Sequence, residues 1–73
     1  MKEQDIDKYI GKFVGITDFN NDVNHGILHK IKDGIANTDG RKYFCNINKG
    51  YFLEGDTKYI CYRKSHIKKI EII

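Results

Sequence analysis

The sequence predicts an all-β domain with one short N-terminal helix, folded as a five-stranded antiparallel small barrel that occupies residues 1–73 as a single domain. Three observations carry this. Turn-forming residues recur every few positions, at Asn20-Asn21-Asp22, Asp33-Gly34, Asp39-Gly40, Asn48-Lys49-Gly50 and Gly55-Asp56. The runs between them are rich in Ile, Val, Tyr and Phe, with a period close to two. A chain this short buries only roughly 60% of the surface it exposes when unfolded, so closure into a barrel or self-association has to supplement a small core.

The helix falls within residues 1–11. Ile6, Tyr9 and Ile10 stand at i, i+3 and i+4, acidic residues occupy the first turn where the helix dipole favours them, and Gly11 ends the pattern. Its small apolar stripe is expected to cap one open end of the barrel. Strands fill residues 12–73. Val14 and Ile16 alternate in the first. The second, Val23 to Ile31, holds Gly26 in its interior, a cost unless the strand bends there or another backbone packs close. Tyr43, Cys45 and Ile47 give the third strand a core face, and Tyr59 and Cys61 do the same for the fourth. Lys64-Ser65-His66 reads as a single 3₁₀ turn before the last strand, Ile67 to Ile73. There is no repeat, linker or low-complexity tract.

Composition narrows the function classes. The N-terminus carries acidic residues where a secretory signal needs an apolar run, and the longest apolar stretches are a few residues, so a cytoplasmic protein with no membrane span is expected. Cys45 and Cys61 are then expected as reduced thiols acting as small buried hydrophobes. Abundant Ile, Lys and Asn, with no Trp or Pro and only two Arg, is the usage of an AT-rich genome, such as a low-GC bacterium, its phage or a mobile element.

Catalytic motifs are missing. Ser65 is the only serine, no Gly-x-Ser-x-Gly elbow or phosphate-cradling loop occurs, and Asp18, Asp22, Asp33, Asp39 and Asp56 sit at turns whose backbone their side chains can bond. His25 and His29 are four apart without a nearby Cys pair, a spacing of ordinary strand histidines, so neither a metal nor another cofactor is expected. Binding without turnover is what remains.

Charge offers one surface for it. The formal net charge is +3, with five Lys or Arg against seven Asp or Glu in residues 1–40 and eight against three in residues 41–73. The basic, partly aromatic segment Lys58, Tyr62, Arg63, Lys64, His66, Lys68 and Lys69 supplies groups that stack on bases and groups that neutralise phosphates, as sequence-tolerant binding of RNA or single-stranded DNA requires. Arg63 leads this set, because a planar guanidinium both stacks and bridges phosphates.

Aromatic residues offer another. In Tyr43-Phe44, Tyr51-Phe52 and the Tyr59 to Tyr62 run, neighbours alternate across a pleated strand, and Phe44, Phe52 and Tyr62 are the expected outward members, available to a protein partner. The Pro-free apolar edge of Ile70, Ile72 and Ile73 predicts a homo-oligomer.

The short helix, the bent second strand with Gly26-Ile27-Leu28, and Arg63-Lys64-Ser65-His66-Ile67 before the last strand together resemble the Sm-like small barrel. Asp33 and Asn37 correspond to that family's downstream Asp and Asn, one residue later than its pattern, and Lys64 stands where its Arg-Gly pair has Gly. In Sm-like proteins these two loops meet at a ring pore and hold RNA bases, so the resemblance implies Asp33, Asn37 and Arg63 as base-contacting positions. The chain also looks like the wider Src-homology-3-like group, many of which bind peptides or proteins. Two expectations follow: a module for RNA or single-stranded nucleic acid using the basic C-terminal half, and a protein-interaction adaptor or homo-oligomeric assembly subunit.

Overall fold

The computed structural model describes residues 1–73. It is mostly antiparallel sheet with one short α-helix, α1 (Glu3–Asp7). Seven strands follow: β1 (Phe13–Asp18), β2 (Val23–Lys32), β3 (Ile35–Thr38), β4 (Arg41–Phe44), β5 (Lys49–Glu54), β6 (Tyr59–Tyr62) and β7 (Ile67–Ile72), with a 3₁₀ turn at Lys64–His66. No helix is long and apolar enough to cross a membrane.

The long strand β2 organises the sheet. Its first half pairs with β1, which pairs in turn with β7, while its second half pairs with β5, which pairs with β6. The change of partner falls beside Gly26, where a Cβ would stand 2.5 Å from the Glu54 carbonyl oxygen. Only a residue without a side chain lets the two backbones cross this closely.

The expected five strands and closed barrel are not what forms. Asp33-Gly34, with φ of 52° and 77°, closes a two-residue turn that sets Lys32 opposite Ile35, and the Asp39-Gly40 turn sets Thr38 opposite Arg41. These add a β3–β4 hairpin between β2 and β5. The 3₁₀ turn then carries the chain from β6 to β7 without a ladder between them, so β4, β6 and β7 keep open edges.

Two apolar clusters explain the burial. Ile6, Val14, Ile16, Leu28, Tyr51, Leu53, Tyr62, Ile67 and Ile70 form the main core. On the opposite face of β2 and β5, Ile31, Ala36 and Phe52 are buried beneath the hairpin with Tyr43, Cys45, Ile47 and Cys61 around them. The consecutive run Tyr51-Phe52-Leu53 is therefore buried on both faces, which is why alternation does not reveal β5. The helix is shorter than residues 1–11, continuing past Asp7 as turns to Gly11 at φ 84°. It is held to the sheet by buried Ile6, by Lys30 Nζ at 2.8 Å from Asp7 and 3.0 Å from Glu3, and by the Tyr51 hydroxyl donating to Asp7 at 2.6 Å.

Candidate functional site

A cleft of about 810 Å³ opens where the end of β2, the start of β5 and the 3₁₀ turn meet. Its charged lining is Lys30, Lys32, Lys49, Arg63 and Lys64 against Glu3 and Asp33, with Ile31, Tyr51, Gly50 and Ser65 completing it. The volume lies in the range of ligand sites, roughly 300–1,000 Å³, but the cleft is open to solvent.

Local structure places each group. His66 N–H donates to the Arg63 carbonyl at 2.9 Å, and the turn so closed is anchored by buried Tyr62 before it and Ile67 after it, leaving Arg63, Lys64 and Ser65 exposed. Gly34 N–H donates to the Asn48 carbonyl at 3.0 Å, tying the β2–β3 turn to the residue before Lys49. The β2–β5 register then sets Lys32 directly opposite Lys49.

The cations divide into two kinds. Lys30 is neutralised by Asp7 and Glu3, and its hydrogen bonds to them, Asp7 foremost, raise its ammonium above the ordinary lysine value. Partial burial opposes the charge on Asp7, yet hydrogen bonds from Lys30 and Tyr51 hold its carboxyl below 3.8. Lys32, Lys49, Arg63 and Lys64 form no ion pair. Like charges directly opposite on adjacent strands destabilise a sheet, by up to about 1 kcal/mol per pair, so Lys32 and Lys49 stand where an anion would relieve the fold.

The sequence-derived candidates separate on this surface. Asp33, Arg63 and Lys64 come together at the cleft. Asn37 does not; it is exposed on the hairpin beside Thr38, Gly40, Arg41 and Lys42. His66 is exposed on the 3₁₀ turn but does not line the cleft. Lys68 donates to Asn21 Oδ1 at 2.7 Å near the β1–β2 turn, and Lys69 pairs with Glu71 at 3.0 Å.

Tyr62 is a correction for both surfaces. It is buried in the main core, its hydroxyl accepting from Asn24 Nδ2 at 3.2 Å, so its ring reaches neither bases nor a partner. Phe52 is likewise buried, under the hairpin, rather than outward. Phe44 and Ile72 are exposed as expected, Phe44 at 84%. Lys30, Lys32 and Lys49 are cleft residues that the basic C-terminal segment does not contain. Lys32 could have been found from its place before the Asp33-Gly34 turn, next to the residues that resembled a base-binding loop.

The two cysteines meet as well. Burial and a hydrogen bond with Cys45 push the Cys61 thiol up to about 11. His29 Nε2 lies 2.9 Å from Glu54 Oε1, and the β1–β2 register sets exposed His25 directly opposite Gly15, whose missing side chain leaves room for the imidazole.

No protein-family model, curated protein or solved structure matches the chain.

Proposed function

We propose that this protein is a non-catalytic module that binds single-stranded nucleic acid through the cleft between β2, β5 and the 3₁₀ turn. The observation that carries the reading is the convergence of Lys32, Lys49, Arg63 and Lys64, four cations without an ion pair, on one open cleft. An extended phosphate backbone suits such a groove better than a compact ligand, because the cations are spread along an open surface. Arg63 is the residue assigned to bases as well as phosphates, and Asp33 supplies an acceptor for base amino groups. The basic site therefore draws on both halves of the chain rather than on the C-terminal half alone.

The same reading extends to the fold. The path β7-β1-β2-β5-β6, a second strand bent at Gly26 and a 3₁₀ turn before the last strand support an opened small barrel of the Sm-like or Src-homology-3-like kind, with β3–β4 inserted. The test of the site is a comparison of variants. Glutamine at Lys32, Lys49, Arg63 and Lys64 is expected to abolish binding to short RNA and DNA strands, whereas glutamine at Lys68 and Lys69 leaves most of it. Equal losses from both sets would reject the cleft as the site.

A second reading, a protein-interaction adaptor, is favoured by the exposed Phe13, Val23, Ile27 and Ile73, which lie on the outer face of β7, β1 and β2. Binding of that kind would resist salt, because apolar burial is not screened.

A further inference from the structure

The open edge of β7 is self-complementary. Ile73 donates its N–H to the Phe13 carbonyl at 3.4 Å, and the register continues through Val14 opposite Ile72, Gly15 opposite Glu71, Ile16 opposite Ile70 and Thr17 opposite Lys69. Hydrogen-bonded and non-bonded pairs alternate along an antiparallel ladder. Lys69, Glu71 and Ile73 thus turn their backbone groups toward β1, and Ile70 and Ile72 turn theirs to the open edge.

We infer that two copies of this chain pair through β7 about a two-fold axis centred on Ile70. In that register Ile70 exchanges backbone hydrogen bonds with Ile70 of the second copy, and Lys69 stands opposite Glu71 of the second copy, with the reciprocal pair alongside. Both side chains are well exposed, at 62% and 61%, and already attract each other within one chain at 3.0 Å, so each is free to be shared across the axis. Other registers lack this match. An axis at Lys68 sets Lys68 against itself, an in-register parallel pairing sets Lys69 against Lys69, and an axis at Ile72 leaves little strand to overlap. Edge lysines ordinarily discourage strand pairing, but here the repulsion is answered by Glu71 in one register only. Exposed Ile72 would lose solvent in the pair, and the outer-face residues Phe13, Ile27 and Ile73 would extend across a continuous sheet. The inference does not depend on the cleft binding nucleic acid.

Charge exchange tests it. Light scattering and sedimentation at tens of micromolar protein and low salt should show a dimer for the native chain. Glu71→Lys and Lys69→Glu each place like charges at both pairs and should weaken self-association roughly tenfold, with circular dichroism unchanged because the positions are exposed. An equimolar mixture of the two variants restores opposite charges at both pairs and should recover the dimer. A monomeric native chain, a dimer indifferent to either substitution, or a mixture that stays monomeric would each overturn the proposal.

Discussion

Lys32 and Lys49 face each other across the β2–β5 ladder, and neither has an ion-pair partner. Opposed like charges cost a sheet stability, so their cost and their use should separate on substitution. Lys49→Gln is expected to raise the unfolding free energy by about 0.2–1 kcal/mol in low salt while weakening nucleic-acid binding. Denaturant titration and binding isotherms on the same variant check both signs; a loss of stability with unchanged binding would contradict the role given to this pair.

The Asp7 network gives a pH prediction. Asp7 has a lower carboxyl pKa in the fold than its ordinary 3.8, so on acidification the unfolded chain takes up this proton first. The stabilisation it supplies is present above that ordinary value and is lost as pH falls through the lower, folded one. Asp7→Asn should cost about 1 kcal/mol at neutral pH, a modest figure because the pair with Lys30 is partly exposed, and should flatten the acid limb of the stability curve. Thermal unfolding between neutral and strongly acidic pH measures this.

At Gly26 the prediction is steric. A Cβ there meets the Glu54 carbonyl oxygen at 2.5 Å and the Gly55 nitrogen at 2.9 Å, both backbone, so Gly26→Ala has to push β2 off β5. A loss of about 1–3 kcal/mol is expected in urea denaturation.

Cys61 should be slow to react. With its thiol pushed up to about 11 by burial and by Cys45, little thiolate is present at pH 8. Mass spectrometry of timed iodoacetamide labelling should show Cys61 modified at least roughly tenfold more slowly in the folded chain than in urea.

Parts of this fold and site are legible in the sequence, and the physical reasons for the rest are specific. The bend at Gly26 and the turns at Asp33-Gly34 and Lys64–His66 announce themselves, because each needs a residue type that few other places need. β5 is hidden because both of its faces are buried, which erases alternation in Tyr51-Phe52-Leu53. The place of Tyr62 is hidden for the same reason: Cys61 packs against the second cluster and Tyr59 against Tyr43 and Phe52, while Ile60 and Tyr62 on the other face of β6 join the main core, so a core face read at Tyr59 and Cys61 does not leave Tyr62 outward. Arg63, Lys64 and Asp33 could be singled out locally. Lys49 could not, since only the ladder that sets it opposite Lys32 brings it to the cleft.

The most direct test of the cleft is equilibrium binding of the purified protein to short fluorescent RNA and DNA single strands over a series of salt concentrations. Neutralising up to four phosphates by Lys32, Lys49, Arg63 and Lys64 predicts that the logarithm of the affinity falls against the logarithm of salt with a slope of about −2 to −3. Glutamine at Arg63 and Lys64 should make that slope shallower by about one or more. No binding even at low salt, or binding with no salt dependence, would contradict the account.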